Sequence, residues 1–142
     1  ITKADEQLYG VAIGTADGQQ VWECLAVLVA IDMWTSSWKK NRVTLQIRAD
    51  NVTALTALVK MRPKTAAHGI IVRELAMRLA ELSFPPDAHH TPGIAHVVAD
   101  TLSRVFSPEG GGVVNTSLHP ALADATLSTP PERTPEWYLA YK

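Results

Sequence analysis

Apolar and polar positions along this 142-residue chain change period several times, and each change marks an element. Residues 8–13, Leu-Tyr-Gly-Val-Ala-Ile, read as a short strand, and residues 15–20, with Asp17-Gly18 inside, as a turn. Residues 22–34 are apolar almost all round, with only Glu23 and Asp32 charged, which predicts a central buried helix. Residues 43–49 alternate, with Val43, Leu45, Ile47 and Ala49 on one face and Thr44, Gln46 and Arg48 on the other: a strand with one dry face. Asn51 is placed to cap a helix over residues 52–60, and Pro63 separates it from the next. Residues 66–82 form an amphipathic helix with Ile71, Leu75, Leu79 and Leu82 on its inner stripe and a Glu74–Arg78 pair outside. Phe84-Pro85-Pro86 breaks it, and a short extended piece runs through His89, His90 and Thr91 to Pro92-Gly93. A last helix over 94–105 buries Ile94, Val97, Val98, Leu102 and Val105 and turns Asp100, Ser103 and Arg104 outward.

Beyond Phe106 the pattern fades. Five of the nine prolines and Gly110-Gly111-Gly112 fall there, so residues 107–142 read as a linker or loosely packed tail, with Trp137 and Tyr138 as docking anchors. The expected organisation is one domain over 1–106, an α/β layout of a small sheet covered by helices, followed by that tail. The apolar run over residues 25–31 is far too short to cross a bilayer, so no membrane partner is expected. The lone Cys24 sits in an apolar run and points to a reducing, intracellular setting.

Net charge is −1, but its distribution is uneven. Between residues 36 and 80 stand nine bases (Lys39, Lys40, Arg42, Arg48, Lys60, Arg62, Lys64, Arg73, Arg78) against Asp50 and Glu74. Such a segment can build a phosphate-binding face or a solvated basic surface. Lys60, Arg62 and Lys64, between two helices, are the candidate contacts.

Three acids stand out by position. Glu23 opens an otherwise apolar helix, where the helix dipole favours it; Asp50 ends a strand, where a turn or cap would use it; Asp100 sits inside a helix, where aspartate is a poor former. If their elements share a sheet, the three carboxylates can meet at one edge. Clustered carboxylates repel unless a cation joins them, and hard oxygen ligands select Mg²⁺ or Mn²⁺.

Trp22-Glu23-Cys24-Leu25-Ala26, Arg48-Ala49-Asp50-Asn51, and His90-Thr91-Pro92-Gly93 followed by Val98-Ala99-Asp100-Thr101-Leu102-Ser103-Arg104 resemble the ribonuclease H domains of retroelement reverse transcriptases, LTR and DIRS-like. The match covers roughly residues 8–105. The resemblance implies a ribonuclease H-like mixed sheet flanked by helices, with Glu23, Asp50 and Asp100 as ligands of two Mg²⁺ or Mn²⁺ ions. It also implies that His90, ten residues before Asp100, assists proton transfer or product release. The implied activity is endonucleolytic cleavage of the RNA strand of RNA–DNA hybrids. The implied partners are the hybrid and an upstream reverse transcriptase domain of the same polyprotein.

One departure matters. The family carries a fourth carboxylate early in the first strand of a three-stranded meander. The acids before Glu23 are Asp5, Glu6 and Asp17, which leave no room for such a meander. The domain is therefore expected to lack its first strand or strands and to be impaired as a nuclease. The alternative is a catalytically degenerate module of the same fold that binds nucleic acid without cutting. An integrase or transposase ranks last, because its acidic set ends in Glu.

Overall fold

A computed structural model of the chain describes residues 1–38, 45–82, 87–92, 97–105, 107 and 110–139. Val43 and Thr44 of the expected strand, Phe84-Pro85-Pro86, and Gly93 to His96 lie outside the described residues, as do Lys39, Lys40 and Arg42. The fold is helix-rich with a small parallel sheet: α1 (Lys3–Tyr9), α2 (Ala16–Trp38), β1 (Gln46–Ala49), α3 (Val52–Lys60), α4 (Ala66–Leu82), β2 (Asp87–His90) and α5 (Val97–Arg104). Two compact units divide the chain, one of Ile1–His90 with Pro130–Lys142, the other of Thr91–Thr129.

The first unit is organised by α2. Val21, Cys24, Leu25, Leu28 and Ile31 are buried, and α4 meets them with Ile71, Val72, Leu75 and Leu79. α3 adds Ala54, Leu55 and Ala57, and β1 adds Ile47. β1 and β2 run parallel in the register Gln46↔Asp87 to Ala49↔His90. Parallel neighbours need a crossover, which α3 and α4 supply. Gln46 and Arg48 face solvent while Ile47 is buried, as the alternation predicts.

Two expectations fail at the N-terminus. In place of a strand over 8–13, Lys3–Tyr9 is a helix, because Thr2 and Asp5 form a reciprocal capping box and Gly10 ends it at φ 64. In place of a turn over 15–20, α2 begins at Ala16, where the Thr15 hydroxyl accepts from the Gly18 N–H at 3.1 Å. Glu74 does pair with Arg78 at 3.1 Å, but it is fully buried and not outside. His68 is buried in the first turn of α4, its Nδ1 2.9 Å from the Thr65 hydroxyl.

Residues 130–139 depart from the expected loose tail. Arg133 grips the Asp5 carboxylate through Nε and Nη2 at 2.8 and 2.6 Å, both side chains nearly sealed from water. Tyr138 is buried with its hydroxyl 2.9 Å from that of Tyr9. The Trp137 ring lies 4.4 Å from the Arg78 guanidinium, and its Nε1 donates to Asp32 at 2.9 Å. Arg78 itself donates to Asp32, to Glu74 and to the Trp137 carbonyl. The expected anchors do dock, and an arginine five positions earlier docks with them.

In the second unit Asp100, Ser103 and Arg104 of α5 face solvent and Val105, just past the helix, is buried, as expected. Val97, expected inside, is 56% exposed. Past α5 the chain folds back, with the Gly112 N–H donating to the Val105 carbonyl at 2.8 Å.

Candidate functional site

The sheet's carboxyl edge is where α/β folds tend to place ligands, since strands end there and helices begin. Asp50 follows β1 at that edge, exposed, and Asn51 next to it caps α3 by accepting from the Ala54 N–H at 3.1 Å. His90 ends β2 opposite Ala49, so the register sets the histidine beside the strand position just before Asp50.

Glu23 reaches the same place from α2. Because α2 begins at Ala16, Glu23 stands past the second turn and not in the first. The helix-dipole account of this glutamate therefore lapses, because that effect fades within the first turn. Burial raises the Glu23 carboxyl above its ordinary range; hydrogen bonds from Asn51 and Gln19 oppose this, and the Asp50 charge adds to it. Gln19 donates to Oε1 at 3.3 Å, whereas Oε2 is shut off from water with no hydrogen-bond partner among the described residues. A shielded carboxylate oxygen beside a second carboxylate is the donor chemistry that suits a hard divalent cation. The N-terminus of α3 offers partial positive charge nearby, worth about 0.3–1 kcal/mol, but it leaves that oxygen unpaired.

Asp100 belongs to the second unit. It is exposed on α5 and accepts from Arg104 Nε and Nη2 at 3.2 and 2.9 Å. Exposed i,i+4 pairs contribute only about 0.3–0.5 kcal/mol, so this bond is cheaply exchanged. Among the described residues no three or more His, Cys, Asp or Glu side chains gather into a set that could hold an ion. The structure thus joins Glu23 with Asp50 and aligns His90 along the same edge.

Lys60, Arg62 and Lys64 are exposed around the α3–α4 connection, where Met61 adopts φ 48. α3 rises about 13 Å from the Asp50 end to this connection. Sequence reading missed Gln19, which holds Glu23 from one helical turn away; once residues 15–20 were read as a turn, an i,i+4 partner was invisible. No described helix is long and apolar enough to cross a membrane. No protein-family model, curated protein or solved structure matches the chain.

Proposed function

We propose that the chain is a ribonuclease H-like domain of a retroelement polyprotein. Its reaction is cleavage of the RNA strand of RNA–DNA hybrids, in company with a reverse transcriptase domain. The observation that carries this reading is Glu23 beside Asp50 at the carboxyl edge of the parallel strands, with Glu23 Oε2 enclosed and unpartnered among the described residues. Glu23 and Asp50 would hold Mg²⁺ or Mn²⁺, whose chemistry there is to activate a water for attack on a phosphodiester. His90 offers an exposed imidazole at the same edge for the leaving oxygen's proton. Lys60, Arg62 and Lys64 would fix the hybrid's backbone, and RNA would be told from DNA by its 2′-hydroxyls in the wide minor groove.

The Arg104 grip on Asp100 favours a second reading, a domain that binds hybrids without cutting. A labelled hybrid incubated with Mg²⁺ or Mn²⁺ decides between them. Cleavage that disappears in Asp50→Asn and Glu23→Gln supports the nuclease. Salt-sensitive binding with no cleavage and no cation dependence would leave the binding module.

A further inference from the structure

Asn51 has one side-chain amide with two partners. Its Oδ1 accepts from the Ala54 N–H at 3.1 Å and closes the first turn of α3, while its main-chain carbonyl accepts from the Leu55 N–H at 3.1 Å. The cap removes the ambiguity that an amide ordinarily carries, because the oxygen is committed to a donor and the NH₂ is left for an acceptor. That acceptor is Glu23, to which Asn51 is hydrogen-bonded. The same turn of α3 is tied to α2 beside this glutamate, since the Ala54 carbonyl lies 4.0 Å from Sγ of the fully buried Cys24. Gln19, the other amide on Glu23, is exposed and reaches Oε1 at 3.3 Å. Asn51 is half-buried and its amide is fixed by the cap, so of the two it is the one the fold holds still.

We infer that Asn51 is a positioning residue, which by donating its amide holds the Glu23 carboxylate in place beside Asp50 as a ligand for a divalent cation. The cation is the Mg²⁺ or Mn²⁺ of the nuclease reading, and the inference rests on that reading. A buried carboxyl settles its charge by taking a proton or by meeting a cation. An NH₂ group donates and does not accept, so it favours the carboxylate over the acid. With the Asn51 amide so placed, Glu23 Oε2 still has no hydrogen-bond partner among the described residues. The arrangement therefore supports the carboxylate from behind and leaves one oxygen bare. Groups that orient a metal ligand in this way typically contribute tenfold or more to metal affinity.

The test is Mn²⁺ titration of the whole chain, read by loss of the six-line paramagnetic resonance signal of the free ion, beside thermal melts in EDTA. Serine caps a helix as well as asparagine does but carries no NH₂ to Glu23. Asn51→Ser should thus melt within about 3 °C of the parent and bind Mn²⁺ about tenfold more weakly. Asn51→Ala loses cap and amide together: its Mn²⁺ affinity should match that of Asn51→Ser while its melting temperature falls further. Asn51→Asp keeps the cap but sets a carboxylate against Glu23, so at pH 7 in EDTA it should melt below Asn51→Ser, a result that needs no metal. Gln19→Ala should weaken Mn²⁺ binding less than Asn51→Ser does. Parental Mn²⁺ affinity in Asn51→Ser, with a loss confined to Asn51→Ala, means that the residue acts through its cap alone and overturns the inference. So does an Asn51→Asp chain that melts with Asn51→Ser. A parent that binds no Mn²⁺ sinks the nuclease reading and this inference with it, whereas a parent that binds Mn²⁺ no better than Asn51→Ser sinks this inference only.

Discussion

Two carboxylates show how differently burial can be answered within one unit. At Glu23 burial raises the carboxyl, and the nearby Asp50 charge adds to it, so the folded state holds this proton more tightly than the unfolded chain does. The charged glutamate therefore costs stability above its unfolded pKa, and that cost grows until pH has passed the raised folded value. Glu23→Gln is expected to stabilise the protein at neutral pH and to match the parent in acid, as thermal melts across pH 4–8 would read. Mg²⁺ in the millimolar range should raise the parent's melting temperature and leave Glu23→Gln and Asp50→Asn nearly unmoved, because only an ion bound to the folded state shifts the transition. At Asp5 burial also pushes upward, but the hydrogen bonds and charge of Arg133, with those of Thr2, outweigh it and hold the carboxyl below its ordinary range. That stability is present above the unfolded value and lost as pH falls through the lowered one. Asp5→Asn strands a nearly sealed guanidinium, and a loss of about 3–5 kcal/mol in denaturant unfolding is expected.

Between elements, legibility followed the range of the interactions involved. α3, α4, β1, β2 and α5 sit where periodicity and capping residues put them, since an amphipathic stripe or an alternating strand is written in adjacent positions. The Leu8–Ile13 stretch misled because its apolar run imitates a strand, while the deciding signals lie outside it, in Thr2, Asp5 and Gly10. Asp50 and Asn51 at the strand end were visible for the same local reason, whereas the Glu23–Gln19 contact depended on where α2 begins. Residues 130–139 have no periodic face, and their anchors come from far along the chain: Arg133 to Asp5 across 128 positions, Tyr138 to Tyr9 across 129. Such contacts leave no local trace beyond the presence of aromatic and arginine side chains. It follows that truncation after Thr129 should not leave the first unit intact. It would uncover Tyr9 and leave Asp5, Asp32 and Glu74 short of partners, and a loss of several kcal/mol is expected from the Arg133 pair together with the buried Tyr138 ring. A truncated chain that melts cooperatively within a few degrees of the parent would show that these contacts add little.

For the molecule as a whole, a net charge of −1 conceals a basic segment, and the fold decides how much of it can meet phosphate. Arg78 is withdrawn: it is 11% exposed, bound to Asp32 and Glu74 and stacked on Trp137, so it serves the clasp on residues 130–139 and not a ligand. Arg48 stays exposed on the polar face of β1, opposite His89 in the register. Lys60, Arg62 and Lys64 are exposed together within five residues, held in one turn by the αL conformation of Met61 and the fixed φ of Pro63. On the proposed reading, this basic turn, one short helix away from Asp50, would hold one backbone of a duplex while the other strand lies at the carboxylate edge. Each phosphate so engaged releases counterions, so affinity falls with salt in proportion to the number of contacts. If all three side chains reach phosphate, Lys60→Glu, Arg62→Glu and Lys64→Glu combined should lower the slope of log affinity against log salt by roughly 2–3 units. The measurement is hybrid binding by fluorescence anisotropy from 50 to 300 mM salt in EDTA, with Arg48→Glu as a separate single variant. An unchanged slope in the triple variant, alongside a reduced one in Arg48→Glu, would move the contact surface from the α3–α4 turn to the open face of the sheet.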